Sequence, residues 1–143
     1  MDPERIESVK AGIVAAIAGI LVSLILVAVD ILVAAGSLAD TLLIILQRLS
    51  IAAVCCFLFG VTYRYIIRQD PNPHLRSGAV GAFALTRSLS QLESIDLETS
   101  GVLPLSIPIF ESFGLFLMVR LVLDLGLKQR WLKPFTSVPG SEH

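Results

Sequence analysis

AGIVAAIAGILVSLILVAV, residues 11–29, runs nineteen positions without a charged side chain. About twenty apolar residues at 1.5 Å per residue cross the hydrocarbon core of a bilayer, so this stretch reads as a transmembrane helix. The run continues past Asp30 to Ala35, which gives a first span over 11–35. Ahead of it, Asp2, Pro3 and Glu4 offer an N-cap, a proline at the first helical position and an acid in the first turn, so a polar helical turn leads in. The competing reading is a signal peptide cleaved after Val33-Ala34-Ala35. The length of the run, the acids Asp2, Glu4 and Glu7 in the leader and the interrupting Asp30 argue against it.

The rest of the chain follows the same pattern. Of its 143 residues 55% are hydrophobic and the mean hydropathy is +0.80, beyond the roughly 45–50% apolar usage of a soluble domain. A second run covers 42–65, a third 75–92 and a fourth 104–127, which predicts an all-α polytopic membrane domain of four transmembrane helices arranged as two hairpins. The third run is the least apolar: only ten uncharged residues separate Arg76 from Arg87, and Gly78, Ala79, Gly81, Ala82 and Ala84 give it small side chains suited to close helix packing. Taken alone it also fits a re-entrant or interfacial helix. The fourth run contains Pro104 and Pro108, so a kink or a late helix start is expected there.

Charge decides the orientation. Eight of the eleven basic residues fall in three groups: Arg5 and Lys10; Arg64, Arg68 and Arg76; and Lys128, Arg130 and Lys133. The intervening turns, 36–41 and 94–101, hold Asp40, Asp96 and Glu98 and no Lys or Arg. By the positive-inside rule the basic groups and both termini are cytoplasmic and the acidic turns lie across the membrane. The same rule makes 75–92 a full span, since its ends carry opposite character. A net charge of −1 without a basic face excludes nucleic acid as a partner. The cations sit beside hydrophobic ends and meet lipid headgroups instead.

The chemistry that stands out is charge inside the spans. An ionisable group near the bilayer centre costs about 2.5–3.5 kcal/mol on insertion scales, so each calls for a partner or a wet cavity. Counting outward from the first turn, Asp30 and Arg48 lie at similar depth, roughly 12–15 Å in, and can pair across the first hairpin. Counting from the second turn pairs Arg87 with Glu111 at roughly 8–10 Å. Arg120 and Asp124 are four apart on one helix face, and a continuous polar stripe from Glu111 to Arg120 is conceivable. Such pairs read first as glue that sets helix register; a proton or ion path through Asp30, Glu111 and Asp124 is the alternative.

Other features carry less. Cys55 and Cys56 are adjacent in an apolar run and read as buried structural thiols. His74 reads as a solvated connector residue, and the acidic turn around Glu93, Asp96 and Glu98 lacks the spaced ligands and glycine of a calcium loop. Neither a metal nor a cofactor is expected. Gly12 with Ala16 and Ala15 with Gly19, each four apart, mark a face of the first helix where another helix can approach closely.

The stretch FGVTYRY at 59–65, followed by Arg68, Asp70, Asn72, Pro73, LRSGAVGAF at 75–83 and Arg87, resembles an uncharacterised family of small integral membrane proteins of cyanobacteria and chloroplasts. The resemblance implies a thylakoid or cyanobacterial plasma membrane, with the basic side toward cytoplasm or stroma; it implies no reaction. It directs attention to the connection between the second and third runs, where Tyr63, Arg64, Arg68, Asp70, Asn72, Pro73 and Arg76 form a candidate docking surface with amphipathic rings and snorkelling cations at headgroup level. The chain offers no His cluster, activated Ser or Cys, or phosphate loop. The expected role is a non-catalytic accessory, assembly or scaffold component of a larger membrane complex, with a small proton- or ion-coupled carrier or channel subunit as the alternative.

Overall fold

A computed structural model describes residues 3–34, 38–69, 72–93 and 102–132. These residues form four α-helices: α1 Pro3–Ala34, α2 Leu38–Gln69, α3 Pro73–Leu92 and α4 Val102–Lys128. The first two have 32 residues each, α3 has 20 and α4 has 27. Three segments, Pro3–Leu32, Leu42–Ile67 and Ser106–Lys128, are long and apolar enough to cross a membrane. α3 has the length, about 30 Å at 1.5 Å per residue, but not the hydropathy.

The helix ends depart from the expected spans for local reasons. α1 starts at Pro3, eight residues before the apolar run at Ala11, and α2 starts at Leu38, inside the expected turn 36–41. An antiparallel helix pair needs a connection of only about 2–5 residues, and Leu38 and Ala39 are good helix formers. α2 is described to Gln69, the last residue before Asp70, which precedes Pro71 and is biased away from helix. Pro73 begins α3 instead of merely ending the connection: it stands in the first helical turn behind Asn72, whose Oδ1 accepts from the His74 amide at 3.1 Å. α4 shows no late start, since it begins at Val102 and takes Pro104 into its first turn, where a missing amide hydrogen leaves no helical bond unmade. Pro108 lies inside the helix. At the other end Arg130, at φ 58°, turns the chain back so that the amides of Trp131 and Leu132 reach the Gly126 carbonyl at 3.0 and 3.3 Å.

α1 packs on α2 and α4, and α3 packs on the same two helices from the opposite corner. The first interface is built from small side chains: Ala11 and Ala15 of α1 face Gly60 of α2, Gly19 of α1 faces Ala52 and Cys56, and both alanines of α1 are 2% exposed or less. Between α2, α3 and α4 the interior is aromatic and branched, with Phe59, Tyr63, Leu115, Phe116, Val119 and Leu123 closed off from the surface. Large apolar side chains cover the outside, among them Ile25, Leu32, Leu43, Phe110 and Leu125. An outer surface as rich in large apolar side chains as the interior is expected where the surroundings are as apolar as the core.

Candidate functional site

Among the described residues, charged side chains meet at several levels along the bundle. At the end bearing Arg64, Arg76 and Lys128, Arg64 is 4% exposed and ties the start of α1 to α2. Its Nη1 donates to the Glu4 carbonyl at 2.7 Å and to Ser8 Oγ at 2.6 Å, and its Nη2 to Glu4 Oε2 at 2.9 Å. A buried guanidinium is tolerated only with several acceptors, and the extra turns of α1 ahead of the apolar run supply them. Tyr63 is 1% exposed, and its hydroxyl donates to Asp124 Oδ1 at 2.7 Å. Of the residues expected on the docking surface, Tyr63 and Arg64 are buried in the bundle instead, whereas the neighbouring Tyr65 is exposed. Asn72 and Pro73 serve to start α3. Asp70 and the Arg68 side chain lie outside the described residues, as do the acidic turn 94–101 and the tail beyond 132.

Asp124 is the hub of this end. Besides Tyr63 it faces Arg120 Nε at 3.7 Å along its own helix and Arg76 Nη1 at 3.8 Å from α3. The i,i+4 spacing points to Arg120, whereas Tyr63 and Arg76, sixty-one and forty-eight positions away in sequence, join only through the packing of α2 and α3 on α4.

About 20 Å along α4, at 1.5 Å per residue, Glu111 Oε1 stands 3.7 Å from Arg87 Nη2 of α3, with side chains 16% and 3% exposed. Next to this pair Ser112 Oγ donates to Gln91 Oε1 at 3.5 Å. Arg87 Nε and Nη1 meet no acceptor among the described residues. Toward the far end, Arg48 Nη1 donates to Asp30 Oδ2 at 3.0 Å and joins α2 to α1. That pair sits on the outer face of the bundle, with side chains 46% and 51% exposed.

Among the described residues no polar stripe connects these sites. Leu115, Phe116, Val119 and Leu123 lie between Glu111 and Asp124 on α4, all 1% exposed or less. Phe59, Phe83 and Phe116 close the same level from three helices, with ring centroids 5.3 to 5.8 Å apart. The interior is therefore an aromatic layer with a polar cluster above it and another below.

Protein-family models, curated proteins and solved structures offer no match to this chain. Cys56 is fully buried against α1, Cys55 is half-buried, and both are free thiols. His74 is exposed in the first turn of α3. Among the described residues no three His, Cys, Asp or Glu side chains come together as a metal site. The small-residue face of α1 is occupied within the chain by Phe57, Cys56 and Gly60 of α2.

Proposed function

We propose that the chain is a polytopic membrane protein whose four helices all span, as two hairpins with both termini cytoplasmic, and that it acts without catalysis as an accessory, assembly or scaffold component of a larger membrane complex. For α3, support comes from its 20-residue length, which matches a hydrocarbon core of about 30 Å, and from the pairing of its Arg87 with Glu111 inside the bundle. Orientation follows from the grouping of the basic residues. A thylakoid or cyanobacterial plasma membrane is the setting that the sequence resemblance suggests.

One observation carries the non-transporting reading: the layer of Phe59, Phe83 and Phe116 stands between the Arg87–Glu111 pair and the cluster around Asp124. A carrier that uses Glu111 and Asp124 in sequence needs a wet or hydrogen-bonded route between them. The exposed pair Asp30–Arg48 supports association, because charges on the lipid-facing surface favour being covered by a neighbouring helix. At the basic end, the surface left for a partner comprises Tyr65, Asn72 and Arg76, with Arg68 beside them in sequence. Purification from native membranes in mild detergent tests the proposal. Co-elution with a larger complex is the expected result; a lone protein that conducts protons or ions in liposomes would replace it with the carrier reading.

A further inference from the structure

At the basic end a cleft of about 440 Å³ opens between α2, α3 and α4, lined by Ile67, Arg76, Leu121, Asp124, Leu125 and Lys128. Its volume lies within the roughly 300–1,000 Å³ of small-molecule sites. We propose that this cleft binds the headgroup and first acyl carbons of an anionic phospholipid. The inference rests on the membrane reading above but not on the scaffold role.

Three features favour that occupant. The walls are divided by chemistry: Ile67, Leu121 and Leu125 present hydrocarbon, while Arg76 and Lys128 present charge where α3 begins and α4 ends. This is the level at which a spanning bundle meets phosphates. The one acid in the lining is already engaged, since Asp124 accepts from Tyr63 at 2.7 Å and faces Arg120 at 3.7 Å. With Arg76, Lys128 and Arg120 against Asp124, the surroundings of the cleft keep an excess of two positive charges. Donor capacity is also left over: Arg76 Nη1 stands 3.8 Å from Asp124, beyond hydrogen-bond length, and Arg76 Nε has no acceptor among the described residues. A phosphate diester supplies the acceptor oxygens, and its acyl chains extend over the exposed Leu121 and Leu125, one turn apart on α4. A soluble anion satisfies the charges but leaves this apolar wall unused.

The test is native mass spectrometry of the full chain, delipidated in detergent and titrated with phosphatidylglycerol or phosphatidylcholine. Each cation next to an anionic headgroup is expected to improve binding about fivefold, so phosphatidylglycerol should bind roughly thirtyfold more tightly. Lys128→Glu exchanges an exposed side chain at the end of α4 and should abolish the preference. Lys10→Glu, an equal charge change on α1 away from the cleft, should leave the preference intact. Equal retention of the two lipids, equal effects of the two substitutions, or displacement of the lipid by millimolar inorganic phosphate would each overturn the proposal. The scaffold reading fails separately, by the absence of any co-purifying complex, and the membrane reading fails if alkaline carbonate extracts the protein.

Discussion

Gly60→Ala tests a close approach of the α1 backbone to α2. A methyl group built on Gly60 lies 2.5 Å from Ala15 Cβ, 2.7 Å from the Ala11 carbonyl oxygen and 3.1 Å from its carbon. Optimal carbon–carbon contact is about 3.5–4.0 Å, so α1 and α2 must part by roughly 1 Å along this stretch. No rotamer relieves the clash, because the opposing atoms belong to backbone or to a Cβ that moves with it. Overpacking of this kind costs about 1–3 kcal/mol. Alanine also has a higher helix propensity than glycine, by about 0.5–1 kcal/mol, and this gain must be subtracted. Gly81→Ala provides the subtraction: Gly81 is also helical, and nothing stands within 4 Å of its built methyl group. Propensity cancels between the two variants, so their difference isolates the packing cost, and Gly60→Ala should be the less stable by about 1–3 kcal/mol. Reversible unfolding in mixed detergent micelles, followed by far-ultraviolet circular dichroism, measures that difference. Equal stability of the two variants would refute the close approach of α1 to α2 from which the rest of the bundle is argued.

A double-mutant cycle of Asp30→Asn and Arg48→Gln should give a coupling of about 0.6–1.7 kcal/mol, the range of polar pairs between membrane helices, and strict additivity would dismiss the pair. Glu111→Gln should destabilise more than Asp30→Asn, by up to about 3–5 kcal/mol, because it strands the buried Arg87 guanidinium; the same unfolding measurement ranks the two. Arg64→Leu removes the bonds to Glu4 and Ser8 and should raise amide hydrogen exchange in the first two turns of α1 at least about tenfold, since hydrogen bonds to a charged group contribute about 1.5–3 kcal/mol. Unchanged exchange would mean that the clamp does not hold the helix start. Reporters placed near Pro71 and after His143 should read one side of the membrane and a reporter near Asp96 the other, whereas agreement between the Pro71 and Asp96 sites would show that α3 does not cross.

The sequence by itself determined the helices and the levels of their charges along the bundle. Helical character follows from apolar runs whose backbone groups must bond internally, and depth follows from a fixed rise of 1.5 Å per residue. Counting residues from the turns was therefore enough to set Asp30 beside Arg48 and Arg87 beside Glu111. Helix ends were less accessible, since α2 begins at Leu38 and α4 at Val102, ahead of the apolar runs that marked them.

Only the tertiary structure decided which way each side chain faces. In a soluble helix the polar face marks the outside, but in an apolar bundle both faces are hydrophobic and the periodic signal fades. Tyr63 and Arg64 look like interfacial anchors when read along the chain. Both turn inward, because α4 presents Asp124 to the one and the early start of α1 presents Glu4 and Ser8 to the other. The Asp30–Arg48 pair shows the reverse: its level was available from counting, but its place on the outer face depends on how α1 and α2 are rotated against each other. That rotation is set where Gly60 admits Ala11 and Ala15, a glycine on α2 with no pattern in its own run to single it out. The cleft at the basic end likewise exists only because three helices, distant in sequence, bring Ile67, Arg76 and Lys128 to one surface.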